Sequence, residues 1–294
     1  MKSLLPGKLG QYLVLAWNSA LILAWLLIQP GLSADAGTPG AVLQSLQSLL
    51  AALLLFTGAA GAGMVLGTPL RKQQILRMYT APLLGLGLMS TLILAAGLLH
   101  LIPGTITAWV ILLAVNAAFL PQTTAWIRIL GDTFSQLFAP TPSRSVRVLR
   151  AGVLLLIAMA LLIALAPPIE WDSLMYHLAA GRYYIDQGGI VTSADNYRFS
   201  NPALTTMLFM ILQILAGTSA PALLSWLLGV WTLAGIAVFF LQCDKAALEN
   251  TWTASALALS TGTIWIAMTR SYADILLIPV MLASMMMLLP GRES

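Results

Sequence analysis

Blocks of about twenty apolar residues, separated by short links that hold most of the charge, constrain this chain more than any other feature of its sequence. At 1.5 Å per residue, a helix of that length crosses a hydrocarbon layer of about 30 Å. Where no water reaches, a helix also satisfies its own backbone groups. The blocks lie near 11–29, 41–67, 80–102, 107–126, 149–166, 220–241, 251–269 and 272–290. They predict an all-α, polytopic transmembrane helix bundle of about 8 spanning helices, with interfacial or juxtamembrane helices in one external loop.

Composition excludes the soluble alternative. Hydrophobic residues make up 59% of the chain and charged residues 8%, against roughly one-quarter charged in soluble domains. The mean hydropathy is +0.90. The net charge of +4 is no sign of nucleic-acid binding, because the basic residues sit between apolar blocks, where they orient the chain. The single cysteine, Cys243, leaves no internal disulfide and no Cys-rich metal site; near a helix end it reads as a small apolar residue.

Orientation follows from the basic links. Arg71, Lys72 and Arg77 follow the second block, and Arg128, Arg144, Arg147 and Arg150 surround the link after the fourth. Both links are expected in the cytoplasm, as is the N-terminus with Lys2 and Lys8. Loops 30–40 and 103–106 carry almost no basic residues, which agrees. Lys2 and Lys8 ahead of the apolar stretch 11–28, with Ser33-Ala34-Asp35-Ala36 after it, resemble a signal peptide. The apolar region is long for a signal core, so it is read as a retained anchor.

The fifth helix then runs outward, and segment 167–202 emerges on the non-cytoplasmic face. The link 131–148, of mixed polar and apolar residues and expected on the cytoplasmic surface, divides the chain into a four-helix N-terminal part, 1–148, and a remainder, 149–294. Segment 203–217 is short for a span and is expected to lie as a juxtamembrane or re-entrant helix on the outer side. On that arrangement Asp274 reaches the outer surface; if 203–217 crosses, Asp274 is cytoplasmic. Asn116, Gln44, Gln47 and Asn18 are polar residues within spans, expected to join helices by hydrogen bonds.

The run PPIEWDSLMYHLAAGRYYIDQGGIV gathers acids, tyrosines, a histidine and an arginine at the membrane surface. Glu170 to Tyr184 reads as an interfacial helix stopped by Gly188-Gly189, with Asn201-Pro202 as a turn. Asp172 and Tyr176, four residues apart, share a face with Tyr183 further along, while His177 is displaced to one side. Such a face offers a proton-accepting carboxylate and aromatic surface for a sugar or headgroup. The plainer account is a solvated interfacial helix in which Trp171, Tyr183 and Tyr184 are aromatic-belt anchors and Arg182 pairs with Asp186 at i,i+4. Asp274, four residues after Arg270, has its own plain account as a helix N-terminal acid paired to that arginine. Glu170 and Asp172 are close enough to touch a divalent cation, but two carboxylates are not a ligand set, so metal dependence stays open and no cofactor is assigned.

Trp171-Asp172-Ser173-Leu174-Met175-Tyr176-His177-Leu178, then Gly188-Gly189-Ile190-Val191, a short apolar segment, a full helix, and Arg270-Ser271-Tyr272-Ala273-Asp274 opening another helix together resemble bacterial membrane glycosyltransferases of the type C superfamily. The resemblance, to the protein mannosyltransferase and aminoarabinose transferase group, covers about 150–290. It implies a sugar donor carried on polyprenyl phosphate at the non-cytoplasmic face of a bacterial inner membrane. It also implies Asp172 as catalytic base and Asp274 as the second acid. Tyr176 and His177 become candidates for holding substrate, and Arg182, Arg198 and Arg270 candidates for meeting the leaving phosphate. Related enzymes continue through further helices, so the resemblance leads to the expectation of a fragment, of a partner membrane protein that completes the bundle, or of a non-catalytic scaffold that keeps the architecture. A transporter is disfavoured, because charges at mid-span are nearly absent.

Overall fold

A computed structural model of the chain describes residues 38–70, 73–141, 143–194, 196–200, 203–243 and 247–288. Its described elements are helical throughout: α1 (Thr38–Leu66), α2 (Gln74–Leu98), α3 (Thr105–Ala118), α4 (Leu120–Leu137), α5 (Arg144–Ala164), α6 (Leu178–Gln187), α7 (Leu204–Ala216), α8 (Ala220–Cys243), α9 (Ala247–Ser260), α10 (Thr263–Thr269) and α11 (Asp274–Leu288). The all-α bundle is therefore observed.

Among the described residues, 4 helices are long and apolar enough to cross a membrane: Val42–Leu66, Gln74–Leu98, Arg144–Ala164 and Ala220–Gln242. The block expected as one span at 107–126 is instead the pair α3 and α4, bent by 69°; counted as one crossing it raises the number to 5. The bend falls at Phe119, just before Pro121, whose missing N–H makes it a helix starter rather than a helix interior residue. The block at 251–269 is also divided, into α9 and α10, because Gly262 takes φ 72°, a left-handed conformation that glycine adopts without a Cβ clash. The last block supplies a described helix of 15 residues, with Pro279 inside it. The first block, 11–29, lies outside the described residues.

Helices α1 and α2 form an antiparallel pair at backbone contact. A Cβ on Gly63 would stand 1.7 Å from the Ala81 carbonyl oxygen, and one on Gly85 would stand 1.8 Å from that of Ala59. In lipid, small residues at a helix interface gain their attraction from this close approach. Helix α8 lies at the centre, packed by α1, α2, α5, α7, α9, α10 and α11. Its Trp231 sits in an aromatic cluster with Phe56, Tyr79 and Trp126. The indole N–H of Trp231 donates to the Tyr79 carbonyl (2.9 Å) and that of Trp126 to the Met78 carbonyl (2.9 Å), so each large apolar body also satisfies its polar tip. One continuous core draws on residues from both sides of position 148.

The short helix α7 is an interior element, buried along nearly all of its length. Before it, the Ile190 N–H donates to the Gly97 carbonyl (2.9 Å) at the end of α2. After it, the Ala216 carbonyl accepts from Ser48 Oγ (3.1 Å) in α1. Because α1 and α2 are antiparallel, Gly97 and Ser48 stand at the same end of the bundle. The segment before α7 and the last turn of α7 are thus tied to the same end of the bundle, and at 13 residues the helix is short for a span. Arg77, whose guanidinium donates to the Met64 carbonyl, lies at the opposite end.

Of the polar residues expected to join helices, Asn116 and Gln47 do so, whereas Gln44 makes no side-chain hydrogen bond among the described residues. Asn116 Nδ2 donates to the Leu54 carbonyl (3.0 Å), and Thr57 Oγ1 is 3.2 Å from Asn116 Oδ1. Gln47 Nε2 donates to the Leu215 carbonyl (2.9 Å). Asn18 lies outside the described residues.

Candidate functional site

Helix α5 starts cleanly, with the Ser143 hydroxyl accepting from the Val146 N–H, and ends at Ala164. The following Pro167 and Pro168 keep the chain extended until Trp171. The helix expected from Glu170 begins at Trp171, and Glu170 remains in the link. Trp171 and Asp172 are α-helical, with the Leu174 N–H donating to the Glu170 carbonyl (2.9 Å), and the helix then widens. Ser173–His177 is a π-helical turn, in which the Leu178 N–H donates to the Ser173 carbonyl five residues back. Such a turn is one residue wider than an α-turn and recurs at functional sites. It corrects the expected face: the positions returning over Asp172 are Tyr176 and His177, four and five residues on, whereas an α-turn sets His177 aside.

The rest of the segment is ordered by packing. Gly188 takes φ 65° and stops α6, as expected of that glycine. Gly189 sits against the His100 ring. Tyr184, expected as an aromatic-belt anchor, is instead fully buried, and its hydroxyl donates to the Phe199 carbonyl. Burial, with a smaller contribution from neighbouring Tyr183, pushes the Tyr184 phenol above its ordinary value. Tyr183 packs against Phe199, ring centroids 5.2 Å apart. Trp171 is exposed as an anchor should be.

Of the predicted site residues, Asp172 and Asp274 are both exposed. Around Asp172 stand the exposed apolar side chains of Ile169, Trp171, Leu174 and Met175, so this carboxylate projects from a surface suited to lipid rather than to bulk water. The His177 ring meets Phe209 of α7 edge-on, centroids 6.3 Å apart. Arg182 makes the expected i,i+4 bridge to Asp186 (3.1 Å), with both side chains exposed. The Arg198 side chain lies outside the described residues, as does Asn201-Pro202.

Arg270 does not pair with Asp274, as its spacing led us to expect. Its guanidinium lies 2.9 Å from a Glu170 carboxylate oxygen and 3.3 Å from the Tyr272 hydroxyl. Arg270 is free to reach across because the chain leaves the helix there, with φ −133° and ψ 161° after Thr269. The same link is tied to α7, since Thr205 Oγ1 donates to the Ala273 carbonyl (3.4 Å). The ion pair therefore brings the Asp172 segment and the Asp274 segment to one place. The pairing of Glu170 with Arg270 is what the sequence did not reveal: a partner one hundred positions away leaves no local spacing signal.

Two serines flank the pair. Ser173 and Ser271 are buried, and neither Oγ has a hydrogen-bond partner. Among the described residues no three His, Cys, Asp or Glu side chains come together to hold a metal ion. An open cleft of about 420 Å³ lies elsewhere, between Gln44 and Gln47 of α1, Thr105 of α3, and Leu215 to Gly217 at the end of α7. Comparisons with protein families, curated proteins and solved structures give no match for this chain.

Proposed function

We propose that this chain is a membrane glycosyltransferase-like protein that transfers a sugar from a polyprenyl-phosphate carrier to an acceptor on the non-cytoplasmic face. The reading places it in a bacterial inner membrane, with 167–202 periplasmic or extracellular. It takes the expected count of about eight crossings, with α3–α4 and α9–α10 each as one broken crossing. The observation that carries it is the Glu170–Arg270 ion pair. The resemblance singled out the Asp172 and Asp274 segments separately, and this pair joins them.

The chemistry assigned to these residues is general-base catalysis. The Asp172 carboxylate takes the acceptor hydroxyl proton as that oxygen bonds to the anomeric carbon. The bond from that carbon to the carrier phosphate breaks, and the phosphate leaves with the electron pair. Proton transfer of this kind supplies about 10²–10⁴-fold. Arg182 or Arg198 meets the charge that grows on the leaving phosphate, and Tyr176 and His177 line the approach to Asp172.

The test is transfer from a panel of polyprenyl-phosphate sugars by the purified chain in lipid. Asp172→Asn should lose about 10²-fold or more with an unchanged melting temperature; full activity in that variant removes the assignment. The exposure of both acids favours a second reading, a non-catalytic membrane scaffold. Absence of transfer with every lipid-linked sugar, together with stable co-purification of one other membrane protein, would select it.

A further inference from the structure

Arg270 and Glu170 hold each other in a setting that is neither open water nor closed core, with side chains 32% and 28% exposed and N···O at 2.9 Å. A surface pair of long side chains contributes little, but partial burial strengthens the attraction and fixes the geometry. The guanidinium is already engaged on two edges, by the Glu170 carboxylate and the Tyr272 hydroxyl, and it lies 5.9 Å from the Tyr272 ring centroid. A donor phosphate would meet a cation whose charge that carboxylate already neutralises.

The two segments joined by the pair have few backbone constraints of their own. Residues 167–170 lie outside any helix, and 270–273 form a short link after α10 whose internal bond runs from the Tyr272 N–H to the Arg270 carbonyl (2.9 Å). Asp172 follows Glu170 by two residues, and Asp274 follows Arg270 by four. We infer that Glu170 and Arg270 are positioning residues: their ion pair sets the spacing between the Asp172 and Asp274 segments, and Arg270 is not a ligand of the donor phosphate. This rests on the glycosyltransferase reading given above.

The experiment pairs a distance with a rate, in the purified full chain reconstituted in lipid. Spin labels at Leu174→Cys and Leu277→Cys, both exposed sites, in a Cys243→Ala background, report the spacing of the two segments. Kinetics are read on the unlabelled chain with a polyprenyl-phosphate sugar. Glu170→Gln should shift or broaden the label distance and lower kcat about 10-fold to 10²-fold, with KM for the donor nearly unchanged. The charge swap Glu170→Arg with Arg270→Glu should recover the distance and most of kcat. An unchanged distance in Glu170→Gln overturns the inference, as does a rise confined to donor KM that the swap fails to rescue, which would make Arg270 a phosphate ligand. A wild-type chain that transfers no sugar overturns the parent reading; a wild-type chain that transfers, with no loss in Glu170→Gln, overturns this inference alone.

Discussion

Gln47 of α1 donates its side-chain amide to the carbonyl oxygen of Leu215, 168 positions along the chain and 2.9 Å away. The acceptor belongs to the last turn of α7, where a helix has carbonyls without partners in its own backbone. Trp109 Nε1 donates to the same oxygen (3.1 Å), and Ser48 Oγ donates to the next carbonyl, that of Ala216. The terminal carbonyls of a short helix in an apolar setting need side-chain donors, and α1 and α3 supply them.

Removing that cap should loosen α7. Gln47→Leu is expected to lower stability by about 1 kcal/mol, the usual contribution of one such bond, and Gln47→Leu with Trp109→Phe should cost more than either alone. Thermal unfolding in detergent reads the effect. A double variant as stable as the parent would mean that the α7 end does not depend on these donors.

The α1–α2 contact makes a paired prediction within one helix. Gly85→Ala drives a methyl into the Ala59 backbone and should destabilise by about 1–3 kcal/mol, as overpacking does. Gly87→Ala meets nothing within 4 Å and should be neutral or stabilising by about 0.5–1 kcal/mol. Equal melting temperatures for the two variants would contradict the close approach.

Arg150 is a buried cation whose two terminal nitrogens donate to the carbonyls of Phe138 (3.3 Å) and Ala139 (3.2 Å), just past the end of α4. Its guanidinium also lies 5.6 Å and 5.4 Å from the ring centroids of Phe138 and Trp252. It satisfies carbonyls that the helix end leaves open, and its charge suits the negative end of the helix dipole. Arg150→Met should therefore cost about 2–4 kcal/mol. Arg150→Lys should recover only part of this, because an ammonium cannot span both carbonyls and stack between the rings. Calorimetry or detergent melting separates the three proteins; a lysine variant equal to the parent would sink the fork argument.

Tyr184 should confer an alkaline sensitivity. Its phenol is raised above the ordinary value of 10.0, so the folded chain holds that proton where the unfolded chain releases it. The stabilisation is complete below pH 10 and falls as pH rises above that value. The loss of melting temperature above pH 10 should be shallower in Tyr184→Phe, which has no proton to release. Identical slopes would show that Tyr184 does not titrate late.

Much of the candidate site was written locally. The stop at Gly188, the Arg182–Asp186 bridge and the exposed Trp171 follow from residues at most a few positions apart. Such relations are fixed by one helix and survive in any tertiary setting. The same holds for the long apolar helices, since length and hydropathy measure what a segment can do in lipid whatever its neighbours.

Where the reading failed, the missing term was a neighbour or a break in the helix. The face of Asp172 was set by assuming α-turns, and the π-turn at 173–177 moved His177. Two of the apolar blocks are bent or divided, at Phe119 and Gly262, because hydropathy does not record whether one straight helix runs through a block. Tyr184 looks like any interfacial tyrosine until α6 and the loop at Phe199 close over it. The amino-acid sequence by itself determined that this chain makes apolar helices, where its basic links fall, and which short polar segment stands apart. Only the tertiary structure decided that α7 is buried within the bundle and that Arg270 chooses Glu170 over the nearer Asp274, because hydrogen bonds and ion pairs form between groups close in space, and the chain folds over a hundred residues to bring these together.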